Sequence, residues 1–298
     1  MRMWGGRFSG DPDRFFQRFS SSVEFDARLY PYDLRCTAAW TSALREAGIL
    51  SKAEEESVRE ALAQIGRELD GGDFDFASTD EDIHTAVERR LIELAGKRAG
   101  AVRTGRSRND QVSTDLRLFA MDCSHELSAE VRALEKALLD KADEYRDLAV
   151  PGHTHLQKAQ PVLLAHLLLA FISMLERDVE RLSRARAAAD LMPLGSGALS
   201  GTSLPVDRRK LAVELGFTRV SDNSVDSVSD RDFVLELLFA LSALMVHLSR
   251  LAEQVVLWCS QEFALARLDD AWSTGSSLMP QKRNPDGMEL VRGKTGRV

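Results

Sequence analysis

Residues 234–258 read VLELLFALSALMVHLSRLAEQVVLW, and this stretch decides the fold. Apolar side chains recur every seven residues in two rows through four heptads, and Leu238, Met245 and Ala252 widen the stripe. A stripe with this spacing is typical of a long helix that packs against other helices, so we expect a bundle helix here. The two rows are Val234, Leu241, Leu248 and Val255, and Leu237, Leu244, Leu251 and Trp258.

Two further long patterns of helical period support a bundle. The first runs from residue 110 to about residue 148. The second runs from residue 161 to about residue 189, and its first half is apolar on nearly all sides, so we expect it to be the most buried helix. No convincing alternating strand is visible. Three long helices joined by ordered connections predict an all-α fold, a long-helix bundle.

Shorter helical patterns precede the bundle, at roughly residues 32–47, 52–69 and 82–95, and Gly71-Gly72 marks a break after the second of them. A chain of 298 residues is long enough for two domains. The sequence predicts a smaller helical N-terminal domain at residues 1–107 and a central helical bundle domain at residues 108–298.

Charge and cysteine usage narrow the classes of function. The chain has 39 basic and 46 acidic residues, a formal net charge of −7, so no nucleic-acid partner is expected. The three cysteines, Cys36, Cys123 and Cys259, lie far apart and form no CxxC pair, which argues against a disulfide framework or a zinc site. The longest apolar run, residues 162–175, is shorter than the about 20 residues that a membrane span needs. We therefore expect a cytoplasmic protein without a membrane partner.

The stretch TGSSLMPQKRNP at residues 274–285 concentrates hydroxyls, a cation and an amide where regular structure is disfavoured. Gly275 can adopt backbone angles closed to other residues, and Pro280 and Pro285 remove backbone donors and do not fit a helix interior. Unpaired N–H groups in such a segment can receive an anion. On composition alone, a polar surface turn is the simpler interpretation.

The stretch RTGRSRNDQ at residues 103–111 places three guanidinium groups around Gly105, ahead of a predicted helix start. The planar fork of arginine binds carboxylates bidentately, and helix N-termini favour anions, so the segment suits a polyanionic substrate. The alternative is a solvated basic turn or a nucleic-acid patch, and the net negative charge disfavours the second of these.

Two weaker patterns carry no site. The stretch GSGALSG at residues 195–201 follows no strand pattern and lacks GxGxxG spacing, so it is interpreted as a turn between helices and not as a dinucleotide site. His153 and His155 form an HxH pair, but no third metal ligand is apparent nearby in the sequence.

These motifs resemble those of the fumarase/aspartase superfamily, whose members break a C–N or C–O bond beta to a carboxylate and release fumarate. Residues 274–285 are similar to its catalytic loop, and RTGRSRNDQ is similar to the HTGRSRNDQ of argininosuccinate lyases, with Arg103 where that histidine is usual. Other similar motifs, in chain order, are WGGRF at residues 4–8, FSSSVEFD at 19–26, DEDIHTA at 80–86, PGHTHLQKAQP at 151–161 and NSVDSVSDRD at 223–232.

The resemblance implies cleavage of argininosuccinate to arginine and fumarate, as in arginine biosynthesis, with no cofactor and no metal. It implies that Ser276 takes the carbon proton, and that Lys282 with the loop amides stabilises the carbanion. It implies that His155 exchanges a proton at the nitrogen side and that Glu289 orients it, although serine and histidine can exchange these acid and base roles. The implied substrate-binding residues are Ser22, His84, Arg108, Asn109, Thr154, Arg231 and Asn284.

The resemblance also implies a homotetramer whose long helices form a common core and whose active sites are shared between subunits. Family members continue beyond Val298. We therefore expect a chain truncated within the bundle, which by itself is poorly soluble or loosely associated and has little or no lyase activity, because the missing helices would otherwise cover its apolar surface.

Two alternatives stay open. One is adenylosuccinate lyase, whose loop commonly has histidine where Gln281 stands, and the TGRSRNDQ motif argues against it. The other is a non-catalytic structural protein of the delta-crystallin kind, which the presence of Ser276, His155 and Lys282 does not favour.

Overall fold

The computed structural model describes residues 13–298, and the predicted all-α architecture is confirmed. The WGGRF motif lies outside the described residues. Three short 3-10 helices accompany the main elements. In chain order the elements are α1 (Arg14–Ser20), α2 (Val23–Asp26), α3 (Tyr30–Glu46), α4 (Lys52–Gly71), α5 (Ile83–Ala95), α6 (Arg108–Glu144), β1 (Ala149–Thr154), β2 (Gln157–Leu163), α7 (Leu164–Ala189), α8 (Arg208–Leu215), α9 (Ser224–Ser229), α10 (Asp232–Cys259) and α11 (Asp286–Thr295).

The ends of α4 follow from local sequence. Ser51 and Glu54 form a capping box, in which the Ser51 hydroxyl accepts from the Glu54 N–H and the Glu54 carboxylate accepts from the Ser51 N–H at 2.7 Å. The helix ends at Gly72, whose φ of 74° lies in the left-handed region that suits a residue without a Cβ. The break predicted at Gly71-Gly72 is therefore a helix C-cap.

Internal contacts group the chain into two units. The first comprises residues up to 121 together with residues 189–231. Its core contains Val58, Ile65 and Ile83, which are buried in one apolar cluster built largely from α4 and α5. The predicted domain boundary at residue 107 stays a prediction.

The second unit comprises residues 122–188 and 232–298, and in it α10 and α11 lie side by side. The fully buried carboxylate of Asp178, on α7, contacts Nδ1 of His247 at 2.6 Å and the guanidinium of Arg181 at 2.8 Å. Because His247 belongs to α10, this group links two of the long helices through buried polar contacts.

The expectation that the chain has no strand was wrong. β1 and β2 form an antiparallel hairpin in which Pro151 faces Pro161 and Thr154 faces Gln157, with an irregularity between Pro151 and His153. The two prolines and Gly152 interrupt the alternation by which a strand is recognised, and prolines are tolerated here because a two-stranded sheet consists of edge strands. Since Pro161 lies within β2, α7 begins three residues later than the pattern indicated, at Leu164.

The expectation that α7, apolar on nearly all sides in its first half, is the most buried helix was also wrong for the single chain. In that half only Leu168 and Leu175 are buried, and Leu169 is 41% exposed. Apolar side chains all around a helix show that it needs cover on every side. Within one chain the cover is incomplete.

Helix α10 keeps a largely exposed apolar surface. Among the described residues it is the one helix long and apolar enough to cross a membrane by length and composition, and 22% of its most apolar window is buried. A core helix of a soluble bundle passes the same test, and the heptad spacing of α10 is that of helix-on-helix packing. Its exposed apolar side chains include Leu235, Leu238, Phe239 and Val246.

Burial of Val58 in α4 makes a direct test of the first core. Val58 is 2% exposed, whereas Val213, in α8, is 78% exposed. We expect Val58→Ala to lower the free energy of unfolding by about 2 kcal/mol, because two buried methyl groups and their contacts are lost. Val213→Ala makes the same chemical change at an exposed helical position and should alter it by less than about 0.5 kcal/mol. Urea denaturation of both variants checks this, and equal effects would contradict the assigned core.

Candidate active site

The N-terminus of α5 organises the first group of predicted site residues. Asp82 caps the helix, because its Oδ1 accepts hydrogen bonds from the N–H and the hydroxyl of Thr85, both at 2.6 Å. Its Oδ2 lies 3.2 Å from Nε of Arg108, and a second guanidinium nitrogen of Arg108 lies 3.4 Å from the Thr85 hydroxyl. The guanidinium is therefore held at a helix N-terminus, where anions are favoured.

Ser22 is bound to the same segment. Its N–H donates to the carbonyl of Glu81 at 2.8 Å, and its hydroxyl donates to Oδ2 of Asp26 at 2.6 Å. The other oxygen of Asp26 accepts from the N–H of Ile83 at 3.0 Å. The start of α5 thus brings Ser22 and Arg108 to one short stretch of backbone.

His84 is the most deeply buried of the predicted substrate-binding residues, at 3% exposure. Its Nδ1 lies 3.0 Å from Oδ1 of Asp33 and 3.5 Å from Oδ2 of Asp115. Burial by itself lowers the pKa of His84, but the charges of both carboxylates and the hydrogen bond to Asp33 outweigh it, so the pKa is raised above the ordinary 6.5.

Asp110 fixes the start of α6, directly after the predicted substrate-binding pair. One carboxylate oxygen accepts the N–H groups of Gly195 at 3.0 Å and of Gly197 at 2.8 Å, and the other accepts the N–H of Ser107 at 2.9 Å. Burial raises the pKa of Asp110, although the three N–H donors favour its charged form. The carboxylate therefore joins the helix start to the glycine-rich stretch.

The glycine-rich stretch is a loop that binds Asp110 and Asn109 of its own chain. Nδ2 of Asn109 donates to the carbonyl of Ala198 at 3.0 Å. Gly197 has a φ of 60°, and a Cβ there would lie 2.7 Å from the carbonyl oxygen of Gly201, so the close approach of the two residues excludes a side chain at position 197. Two backbone N–H groups of the loop thus donate hydrogen bonds to a carboxylate of the same chain.

Arg231 follows a buried ion pair. Arg117, which is 1% exposed, pairs with Asp230 and donates to the carbonyl of Ala189 at 3.3 Å. The guanidinium of Arg231 donates to the carbonyls of Val228 at 3.2 Å and Asp230 at 2.7 Å. The position of Arg231 therefore depends on the ion pair between Arg117 and Asp230, the residue that precedes Arg231.

His155 stands at the tip of the β-hairpin. His155 and Leu156 form the two-residue turn, with φ of 54° and 58°, and Thr154 and Gln157 are the last pair before it. Two successive positive φ values are typical of the hairpin turn whose twist matches that of the strands, but side chains other than glycine and asparagine are disfavoured there. A strained turn of this kind projects Thr154 and His155 into an exposed position.

The predicted catalytic loop is closed at its base. The backbones of Thr274 and Asn284 exchange two hydrogen bonds, at 3.1 and 2.8 Å. The hydroxyl of Ser276 accepts from the N–H of Met279 at 3.1 Å, and Lys282 is exposed. The loop therefore holds Ser276 and Lys282 on one short connection between two paired backbone positions.

The structure brings some of the predicted residues together and leaves others apart. Glu289 lies in the first turn of α11, and among the described residues no hydrogen bond or ion pair joins it to His155 or joins His155 to Ser276. Arg103, at the position usual for histidine, pairs with Glu88 of α5 at 3.2 Å. The first unit holds Ser22, His84, Arg108, Asn109 and Arg231, and the second holds Thr154, His155, Ser276, Lys282, Asn284 and Glu289.

Sequence reasoning missed three buried acids, Asp33, Asp110 and Asp115. Each is less than 2% exposed. The available signal was position: Asp110 lies on the side of α6 that also carries Ser113 and Arg117, and Asp115 lies on the other side of the same buried helix start. A polar residue on a buried face of a helix predicts a specific partner.

Comparison with known proteins follows the same motifs. A sequence profile of the family described as Lyase matches residues 6–298. The chain is 51% identical over 296 residues to the argininosuccinate lyase of Roseiflexus sp. (strain RS-1), covering 99% of this chain and 65% of that protein. It is 52% identical over 297 residues to the argininosuccinate lyase of Synechococcus sp. (strain JA-3-3Ab), covering 100% and 61%. The chain therefore spans about three fifths of the length of these curated relatives.

Solved structures share the fold. The chain superposes on EDDS lyase in complex with formate with a TM-score of 0.83 and 30% identity, covering 97% of this chain and 57% of that chain. It superposes on a fumarate lyase:delta crystallin from Brucella melitensis bound to cobalt with a TM-score of 0.79 and 22% identity, covering 98% and 67%. At 22% identity the second likeness concerns the fold alone.

The three amide contacts of Asp110 generate a stability prediction. Asp110→Asn keeps the shape but leaves one carbonyl oxygen to accept, so at least one buried N–H loses its partner. We expect the free energy of unfolding to fall by about 1–3 kcal/mol in urea denaturation. Asp140→Asn is the control, since the Asp140 side chain is 61% exposed, and it should change the value by less than about 0.5 kcal/mol. An Asp110→Asn variant as stable as the control would contradict the assigned role.

Proposed function

The chain belongs to the lyase family of the fumarase/aspartase superfamily, and we propose that it cleaves argininosuccinate reversibly to L-arginine and fumarate. One observation carries the proposal: about 50% identity, over essentially the whole chain, to curated argininosuccinate lyases. The alternatives of an adenylosuccinate lyase or a delta-crystallin-like structural protein are not favoured by these relatives.

The reaction breaks a C–H bond beta to the departing nitrogen, forms the C=C bond of fumarate and breaks the C–N bond, after which the nitrogen of arginine gains a proton. The electron pair of the C–H bond spreads onto the neighbouring carboxylate before the nitrogen leaves, so donors and a cation aimed at that carboxylate lower the barrier. In the proposal Lys282, Asn284 and the backbone N–H groups of the loop supply them.

Proton transfer in the proposal uses Ser276 and His155. Ser276 takes the carbon proton once the loop has closed over the substrate, because a serine hydroxyl is a usable base only when water is excluded and positive charge is near. His155 exchanges a proton with the departing nitrogen, and Glu289 orients His155. Ser276 and His155 can exchange these acid and base roles.

Most of the residues that bind substrate in the proposal belong to the first unit. The guanidinium of Arg108 at the start of α5, beside Ser22, suits a carboxylate, and Asn109, Arg231 and His84 add donors. Thr154, beside His155, completes the set. The contacts of Arg108 with Asp82 support this role, since they hold the guanidinium at a helix N-terminus and leave Arg108 partly exposed.

We further propose a homotetramer, with sites shared between subunits, in the cytoplasm and without nucleic-acid or membrane partners. The exposed apolar side chains of α10, Leu235, Leu238 and Phe239 among them, support association, because a stripe of this length in water favours self-contact. The net charge of −7 supports the absence of a nucleic-acid partner. Arginine biosynthesis is the pathway that this reaction serves.

Ser276→Ala in the assembled protein tests the base. We expect kcat for fumarate release from argininosuccinate to fall by about 10²–10⁴-fold while KM changes little, because the hydroxyl acts in the proton-transfer step. Ser57→Ala is the control, since Ser57 is an exposed serine of α4, and it should retain full activity. The absorbance of fumarate reports the rate. Near-normal turnover by Ser276→Ala would remove the serine from the mechanism.

His155→Asn tests the second proton carrier. We expect lower turnover and the loss of one limb of the dependence of rate on pH, because asparagine keeps a polar side chain but cannot titrate. His125→Asn, at an exposed position of α6, should leave both limbs in place. A His155→Asn profile with two unchanged limbs would assign the limbs to other groups.

A further inference from the structure

The first unit contains a buried cluster of ionisable side chains where α3, α5 and α6 meet. Asp33, His84 and Asp115 come one from each helix and are 1%, 3% and 0% exposed. Each offers one ligand or hydrogen-bonding atom within 4.8 Å of the others. So compact a group of charges in the interior requires internal compensation, because the three side chains are almost wholly removed from water.

The hydrogen bonds of the cluster are unevenly distributed. Oδ1 of Asp33 accepts from Nε2 of Gln111 and lies 3.0 Å from Nδ1 of His84. Oδ2 of Asp33 and both oxygens of Asp115 have no hydrogen bond of ordinary geometry. Oδ2 of Asp115 lies 3.5 Å from the same Nδ1. One ring nitrogen therefore faces two carboxyl groups.

Charge balance settles how these groups divide their protons. Burial acts to raise the pKa of Asp33, but the charge and hydrogen bond of His84 and the charge of Arg106 outweigh it and bring that pKa to about 2. Burial, and then the charge of Asp33, raise the pKa of Asp115 well above its usual range. The directions of these shifts favour a charged His84, an ionised Asp33 and a protonated Asp115.

We propose that Asp33 and Asp115 are positioning residues for His84, which they hold as an imidazolium with Nδ1–H directed at Asp33. The imidazolium has two N–H groups, and Asp33 occupies one of them. The remaining donor, Nε2–H, is then available for an anionic oxygen, which is the chemistry that a dicarboxylate substrate presents. This role for Nε2–H rests on the proposed function, whereas the charge state of the ring does not.

The same three residues offer a donor set that a divalent cation can use, but the surroundings favour a proton. The guanidinium of Arg106 donates to the hydroxyl of Thr37 on α3 at 3.0 Å. Its positive charge acts to lower the pKa of Asp33, of Asp115 and of the Cys36 thiol. The positive charge of Arg108 likewise acts to lower the pKa of His84. With a protonated His84, an ionised Asp33 and a protonated Asp115 the cluster is neutral, and a divalent cation would reach the same neutral sum only by displacing the protons of His84 Nδ1 and Asp115.

Titration of His84 by NMR tests the proposal in the assembled protein. With ¹⁵N-labelled histidine, and His84→Asn to assign the signal, we expect both ring nitrogens of His84 to stay protonated above pH 6.5. Asp33→Asn should lower the midpoint of that titration by at least one pH unit, and Asp115→Asn should lower it by less. Asp122→Asn, at an exposed position of α6, is the matched control and should leave it unchanged. A His84 ring that is neutral at pH 6.5 in the unmodified protein would overturn the proposal.

Kinetics separate this proposal from the proposed function. We expect Asp33→Asn to raise KM for argininosuccinate about tenfold or more and to change kcat less than KM. A lowered titration midpoint with unchanged KM would overturn the link to substrate. A protein whose His84 titrates as expected but which cleaves no argininosuccinate would refute the proposed function and leave the charge state of the cluster standing. If Asp33→Asn does not fold, the titration of His84 in the unmodified protein still tests its charge state. Stoichiometric binding of Zn²⁺ that is abolished by Asp115→Asn would replace the proton with a metal and overturn the proposal.

Discussion

Helix α6 begins with polar side chains that are buried, and the first unit depends on the partners that three of them find in residues 189–231. Asp110 takes the N–H groups of Gly195 and Gly197, and Ser113 donates to the carbonyl of Ser227 at 3.3 Å. Further along, Arg117 pairs with Asp230. A buried charge without a partner costs several kcal/mol, so these contacts are obligatory. They fix residues 189–231 against the helix, and with them the predicted positions of Asn109 and Arg231.

The sequence alone predicted those parts of the fold that repeat. The heptad stripe of α10 and the helical periods of α6 and α7 were recognised because each turn of a helix restates the same pattern. The hairpin of β1 and β2 was missed because Pro151, Gly152 and Pro161 break a period of two within strands of only six and seven residues. Short elements leave too few repeats to outweigh such interruptions.

The candidate site was predictable in a different way. Sequence motifs identified Ser22, His84, Arg108 and His155 as candidate site residues, because the residue types and the order of the motifs resemble those of a known family. The partners of these residues were not named, because Asp33 and Asp115 lie about fifty and thirty residues from His84 in the chain and carry no local pattern. Their burial is a property of tertiary packing. It makes His84 an interior histidine with a raised pKa.

Cys36 gives the interior of the first unit a chemical reporter of its own. The thiol is fully buried on α3, and burial, with Asp115 next, raises its pKa well above the ordinary value. Reaction with an alkylating reagent needs a thiolate in contact with solvent, so Cys36 reacts only in molecules whose three-helix junction has opened. Cys123 and Cys259 are only half-buried and serve as internal standards in the same sample. The rate at which Cys36 is modified therefore measures the frequency of local opening in the native protein, with no label added to the site.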